Sequence, residues 1–249
     1  MSVSFNFKNQ LFSLDKMELP SRYYYFNDTE NYIKLLTIGE GIFPKDKIRT
    51  KICLENSSCV VSTESATKIY PSKKEYGINY INISLNNSNC EFINDELILF
   101  ENAKLLQFLN INMDEKSTLF YVDILSSGRS YEHFDFTSIY TRNRFYINKK
   151  LEYYEVYEMS GDKYKEYLNR NNSKKNIFVK IYIKVENNEC FLDILTQEKF
   201  DTFTYTKSKK MIIAVISEAN MANLKMKINI IWKMYRRVLN KKEFNLGKQ

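Results

Sequence analysis

The chain has 249 residues, of which 44% are hydrophobic and 15% aromatic, and it carries a net charge of +7. That apolar share excludes a disordered chain, the length suits one domain with a sizeable core, and no apolar run reaches the ~20 residues that span a bilayer. The first residues, Met1–Lys8, do not join a basic segment to a hydrophobic stretch, so the cytoplasm is the expected location.

The excess of lysine is spread along the chain and gathers only near Lys207, Lys209, Lys210 and the C-terminus. A solvated basic surface is therefore the preferred reading over a nucleic-acid or membrane site. Cys53, Cys59, Cys90 and Cys190 form no CxxC and no regular framework, which suits reduced thiols.

Glycine is scarce, six in all, yet two lie in Gly39-Glu40-Gly41-Ile42-Phe43-Pro44-Lys45-Asp46 and one in Ser126-Ser127-Gly128-Arg129. Gly39, Gly41 and Gly128 are expected at turns whose backbone other residues adopt only with strain. Between Tyr32 and Phe191 short apolar and alternating runs dominate. Strands are predicted at Asp46–Leu54, Cys59–Thr63, Ile78–Leu85, Leu97–Phe100, Leu105–Ile111, Leu119–Leu125, Phe134–Tyr140, Arg142–Ile147 and Ile177–Val185. Connectors such as Asn86-Asn87-Ser88-Asn89 carry turn chemistry. So many close strands predict a mainly β body, as a sandwich, a barrel or a β-helix, and periodicity does not choose among them.

Gly161–Ser173 reads as a short helix and a loop. Further on, Met221, Leu224, Ile228, Ile231, Trp232, Tyr235 and Leu239 recur at steps of three and four. They predict a helix over about 218–240, with Ser217 as N-cap and Glu218, Arg236, Arg237 and Lys241 placed to complement its dipole. Its apolar stripe is expected to dock on the β body; the sharper alternative gives Trp232, Tyr235 and Arg236 to a partner. The whole chain, 1–249, is expected to be one domain, its β body covering about 20–215.

Parts for catalysis are sparse. His133 is the only histidine, and no GxxxxGK[ST], GxGxxG or GxSxG occurs. What remains are polar residues within or beside strand-like runs: Asp46, Lys68, Asp95, Glu96, Asp123 and Arg129. Facing inward they would form either an ion-pair network or a wet passage, because an unpaired buried charge is costly. For any one of them alone, an ordinary turn or strand-end charge is the simpler reading.

Taken in order, these segments resemble the urease accessory protein family UreD, called UreH in some bacteria. Leu19–Tyr25 resembles its N-terminal segment, and Gly39–Asp46 its GG-hydrophobic-x-x-GD turn, with Lys45 in place of a glycine. Val61–Tyr70 resembles its T-x-x-A-x-K-x-Y segment, Asp95–Ala103 its LILFPGA segment, Asp123–Arg129 its E-x-x-x-x-GR segment, and Leu224–Leu239 its L-x-x-W-x-x-x-R-x-x-L helix. The family's glutamate after GR falls on Phe134 without a gap, and Glu132 or Asp135 takes its place through a local shift.

The resemblance implies a β-helix-like body of many short strands with one or two helices near the C-terminus, and a scaffold role without catalysis. The implied partners are UreF, the GTPase UreG and urease apoprotein, with no membrane and, in preference, no nucleic acid. No stably bound cofactor is implied; nickel is handled transiently, along a polar lumen to which Asp46, Lys68, Asp95, Glu96, Asp123, Arg129 and Glu132 are the candidates. Asp46 and Glu96 are assigned transient cation contact, and Arg129 the tying of strands through a carboxylate. Weakly held nickel suits scattered carboxylates better than a cage of Cys and His. The alternatives are a basic, aromatic-rich RNA-binding β module and a hydrolase using His133.

Overall fold

The computed structural model describes residues 2–37, 41–129, 131–200 and 202–247. The chain starts with β1 (Ser2–Lys8), β2 (Leu11–Glu18), β3 (Ser21–Phe26) and β4 (Tyr32–Thr37), then β5 (Lys47–Glu55), β6 (Ser58–Thr63), β7 (Thr67–Ile69), β8 (Gly77–Asn86) and β9 (Asn89–Leu99). It continues through β10 (Lys104–Met113), β11 (Thr118–Ser126), β12 (Ser138–Ile147), β13 (Lys150–Met159), α1 (Gly161–Arg170) and β14 (Ile177–Lys184). The last elements are α2 (Asn188–Gln197), β15 (Phe203–Tyr205), β16 (Ile212–Glu218) and α3 (Met221–Val238).

Two sheets face each other. One has seven strands in the order β13-β12-β10-β8-β5-β1-β2; the other has nine, β15-β16-β14-β11-β9-β6-β4-β3, with β7 beside β9. Within each sheet the central neighbours are parallel: β1, β5, β8, β10 and β12 in the first, β4, β6, β9 and β11 in the second. Each coil thus sends one strand up one sheet and the next down the other, so the body is a β-solenoid. This is the β-helix of the three architectures that the pattern left open.

The coils turn over on asparagine and serine. Asn56 and Asn87 sit at left-handed φ of 47° and 48°, a region that asparagine tolerates. Their side chains stack from coil to coil: Asn87 Nδ2 donates to Asn56 Oδ1 at 2.9 Å, and Asn56 Nδ2 to Asn9 Oδ1 at 3.3 Å. Beside them the amides of Gln10, Ser57 and Ser88 donate to the hydroxyls of Ser57, Ser88 and Ser117. These corner amides therefore find their acceptors one coil along, while the Ser57 and Ser88 hydroxyls donate to the Glu55 and Asn86 carbonyls of their own coils.

Apolar residues at every second position fill the space between the sheets. Phe5, Ile52, Ile83, Ile111 and Phe145 face Ile33, Val61, Phe92, Tyr121 and Tyr182. The outer face of the nine-stranded sheet is also apolar, and α2, α3 and the C-terminal residues cover it, with Phe191, Leu224, Ile231 and Trp232 on Phe120, Val122 and Ile181. A third cluster, Ile42, Ile69, Leu99, Leu105, Phe134 and Ile139, closes the end of the solenoid away from the asparagine corners. Among the described residues no helix is long and apolar enough to cross a membrane.

Several boundaries differ from the expectations. The β body begins at Ser2, not near residue 20, because β1 pairs along its whole length with β5. The runs Phe134–Tyr140 and Arg142–Ile147 are one strand only from Ser138 on; Phe134 and Phe136 belong to the preceding loop and pack inward. No strand or helix is expected from the sequence at β1, β2, β3, β4, β7, β13, β15, β16 or α2, and β9 begins at Asn89, well before Leu97. Ser217 lies in β16 rather than capping a helix, and Asn220 caps α3 through its side-chain oxygen on the amides of Ala222 and Asn223.

Candidate functional site

The segments singled out by the sequence converge on one end of the solenoid. Ile42, Ile69 and Leu99 occupy successive coils there, and the residue after each continues an outer stack. Phe43 stacks on Tyr70 at 4.2 Å, Tyr70 meets Phe100 edge-on at 5.1 Å, and the Arg129 guanidinium lies 4.2 Å from the Phe100 ring centre and 4.8 Å from that of Tyr131.

Two glycines let these coils close. A Cβ on Gly41, at φ +144°, would stand 2.1 Å from the Lys68 carbonyl oxygen, the atom that accepts the Ile42 amide at 2.8 Å. A Cβ on Gly128, at φ +130°, would stand 2.7 Å from Glu132 Cβ. Gly39 lies outside the described residues. Lys45, where the resembled turn has a glycine, takes φ +71°, so the backbone demand persists without the residue that meets it at least cost.

Glu132 is the buried anchor of this end. Its Oε1 accepts from the Glu101 amide at 3.0 Å and from Arg129 Nε and Nη2 at 3.0 and 2.5 Å, and its Oε2 accepts from the Arg129 amide at 3.0 Å. Burial pushes the carboxyl up, but the Arg129 side chain and the two amides together hold it below the usual range. Arg129 thus closes its own loop through Glu132 and braces Phe100. Asp135 instead meets Lys165 at 2.8 Å, and Phe134 is fully buried at a left-handed φ of 56°.

Most of the expected lumen residues do not face the interior. Asp46 is a turn residue whose carboxylate accepts the Phe43 amide at 3.0 Å. Lys68 is exposed, and its carbonyl, not its amine, does the work. Asp95 and Glu96 turn to the helix side, where Lys225 of α3 reaches them at 3.4 and 3.0 Å. A register shift in β9 against β11, between Val122 and Ile124, lies beside them and accompanies this change of face. Glu132 and Arg129 are committed to each other. His133 is exposed, its ring edge-on to Phe134.

Asp123 does face inward, and it belongs to a polar layer that the sequence reading missed. Asn79, Gln107, Thr141 and Tyr157 lie in one pairing row across the seven-stranded sheet. Gln107 Nε2 donates to Asp123 Oδ2 at 2.6 Å, and Asp123 lies opposite Lys180 across β11 and β14. Lys180 pairs with Glu155, and its Nζ lies 3.9 Å from the Tyr157 ring centre. Glu155 Oε2 also accepts from Tyr182 at 2.7 Å and from Asn143 Nδ2 at 3.0 Å.

Burial lifts the Asp123 carboxyl to about 6, with Lys180 and Gln107 opposing part of the rise. Gln107, Asp123, Thr141, Tyr157 and Lys180 line a cavity of about 30 Å³, room for one or two waters. Asn143 Oδ1 is buried without a protein partner, as expected of a hydrated layer. A second cavity of about 80 Å³, lined by Thr50, Asn79, Asn94 and Thr63, continues between the same sheets. The available signal was register: Asn79, Gln107 and Thr141 interrupt inward-facing apolar positions of strands that pair with each other.

Trp232, Tyr235 and Arg236, expected as the partner-facing alternative, are buried. Glu91, also fully buried, accepts from Trp232 Nε1 and Arg236 Nη1 at 2.6 Å each and from Lys241 Nζ at 2.8 Å. Arg236 also pairs with Glu30. These residues fasten α3 to the sheet. The cysteines are free, and Cys59 and Cys90 are neighbours in the core. Burial pushes the Cys90 thiol up to about 12, which leaves it protonated and a poor metal ligand at neutral pH. Among the described residues no three His, Cys, Asp or Glu side chains converge as a metal site.

Fold and site together define a two-sheet β-solenoid flanked by helices, with a braced motif end and a thin polar layer in its interior. The model of the family "UreD urease accessory protein" matches residues 21–245. A urease accessory protein UreD of Aliarcobacter butzleri (strain RM4018) is 60% identical over 250 residues, covering all of both chains. The UreD of Staphylococcus epidermidis (strain ATCC 12228 / FDA PCI 1200) is 35% identical over 133 residues, 52% of this chain and 48% of its own. That of Staphylococcus aureus (strain bovine RF122 / ET3-1) is 31% identical over 125 residues, 49% and 45% of the two chains. The chain belongs to the UreD family of urease accessory proteins, and its role lies in urease maturation.

Proposed function

We propose that the chain is a non-catalytic cytoplasmic scaffold that joins UreF and the GTPase UreG, docks with them on urease apoprotein, and lets nickel, as cargo, pass through the polar layer between its sheets. The observation that carries the passage is the Gln107–Asp123–Lys180–Glu155 layer, a polar row between the two sheets. Asp123 offers a carboxylate oxygen beside a water-sized space. One or two oxygen donors hold a borderline divalent cation weakly enough to release it. The other lumen candidates keep a different role in this reading: Arg129, Glu132, Asp46 and Lys68 hold the coil ends in register around that layer.

The test is co-purification of this chain with UreF and UreG, together with urease activity in a strain whose own UreD gene is deleted. Loss of both would refute the scaffold. For the passage, Gln107→Phe, which fills the cavity, is expected to leave the complex assembled while lowering nickel per urease active site. Unchanged nickel content in the assembled complex would refute the passage alone.

A further inference from the structure

We propose that the outer face of the seven-stranded sheet is a docking surface for an acidic protein partner. The proposal rests on the scaffold reading and adds where one partner sits and what its surface must offer.

The two sheets differ on their outer sides. The nine-stranded sheet is covered by α2, α3 and the C-terminal residues. The outward positions of the seven-stranded sheet bear a patterned set of side chains instead. One pairing row reads Arg49, Tyr80, Phe108, Arg142 across β5, β8, β10 and β12; the next reads Lys51, Asn82, Asn110, Arg144. Four cations therefore frame an aromatic and amide centre. With strands ~4.8 Å apart and ~3.3 Å per residue, the frame measures about 14 Å by about 7 Å. Lys47, Ile78, Leu106 and Tyr140 extend it toward the motif end.

The charge of this frame is not neutralised from within, whereas nearer the β2 edge Lys8 pairs with Glu55 and Lys16 with Glu18. Lys180, Lys225 and Arg236 elsewhere all have carboxylate partners. Among the described residues Lys47, Arg49, Lys51, Arg142 and Arg144 have none within 4.0 Å. Glu158, exposed, stands at the β13 margin of the row through Tyr140. On the opposite margin Asp15 accepts from Asn6, and Glu18 from Ser2 and Lys16. Arg142 Nε is buried without a hydrogen-bond partner, a costly state for a charged donor unless a ligand completes it.

The same geometry favours a protein over a nucleic acid. Base recognition needs free ring faces, but the Arg142 guanidinium lies 4.7 Å from the Phe108 ring centre and that of Arg144 5.5 Å from Tyr154. Phe108, the central ring of the frame, and Tyr154 are thus occupied by cations, and Tyr80 and Tyr140 lie tilted against Phe108; the outward N–H edges of the guanidinium groups stay available for bidentate carboxylates. A half-buried aromatic and amide centre with charged corners also matches the core-and-rim anatomy of a protein interface.

The experiment measures binding of the full-length chain to purified UreF, UreG and urease apoprotein, each alone, at about 50 and about 300 mM NaCl. Arg142→Glu/Arg144→Glu and Arg49→Glu/Lys51→Glu are compared with the parent, and circular dichroism melts confirm that each is folded. For one of the three proteins the affinity is expected to fall about tenfold or more, both with added salt and with either charge reversal. A carboxylate-to-lysine change on that partner is expected to restore binding of the reversed chain. Folded variants that bind all three proteins within about twofold of the parent would overturn the surface while leaving the scaffold standing. If the parent binds none of the three, the scaffold reading falls and this proposal with it. A single-stranded RNA 20-mer whose binding is lost in both charge reversals, while binding of all three proteins is unchanged, would overturn it in favour of nucleic acid.

Discussion

Asp123→Asn should make the protein more stable at neutral pH. In the native state burial raises the carboxyl to about 6 from an ordinary 3.8. The folded chain therefore favours the protonated acid, and holding it ionised costs about two pH units' worth of free energy, roughly 3 kcal/mol. That cost is absent below the unfolded pKa, grows between about pH 4 and 6, and is constant above about 7. Asparagine keeps an oxygen for Gln107 Nε2 to donate to, and Lys180 keeps Glu155. Urea unfolding of both full-length proteins from pH 4 to pH 8 should show the variant ahead by about 1–3 kcal/mol at pH 7.5, the gap closing toward pH 4. A gap that is absent, reversed or independent of pH would mean that Asp123 is solvated like a surface carboxylate, and the polar layer would lose its central member.

Two further outcomes probe how the fold is fastened. Gly41→Ala forces a Cβ onto the Lys68 carbonyl at a left-handed φ, so a loss of about 2 kcal/mol or more in urea unfolding is expected, where a merely flexible turn would lose under about 1. Glu91→Ala leaves Arg236 and Lys241 without their buried carboxylate; a loss of about 3–5 kcal/mol is expected, and a melting temperature within a few degrees of the parent would show the cluster to be solvated.

The strands were legible because inward apolar residues alternate with outward polar ones, and most runs from Asp46 to Leu125 lie within a few residues of the strands observed; the exceptions are Leu97–Phe100, which catches only the end of β9, and β7, for which no run was expected. The solenoid itself was not legible from periodicity, since a parallel coil and a hairpin share the same alternation. Its signal lay in the repeated corner: Asn56-Ser57 and Asn87-Ser88 precede Cys59 and Cys90 at equal spacing, and Ser117 follows at the next turn. The motif residues were found through their resemblance, but of the expected lumen residues Asp123 faces the interior while Asp46, Lys68, Asp95 and Glu96 do not. Asp46 and Lys68 act through turn and backbone geometry, which residue type does not reveal. Gln107 and Lys180 were passed over because a single polar residue in a strand looks like an outward one until the register of its neighbours is known. α2 escaped notice because Asn188–Gln197 is only 10 residues long and follows a strand without a Gly or Pro break.

The attachment of α3 alters how modular this solenoid can be. Coils that pair only with their neighbours should tolerate loss from either end, yet here Arg236 and Lys241, which follow the last strand, neutralise Glu30 ahead of β4 and Glu91 in the central strand β9. A chain cut short before residue 236 holds Glu91 in its core without these cations. The middle of the solenoid is therefore not self-sufficient: its buried carboxylate depends on a helix that follows the last strand.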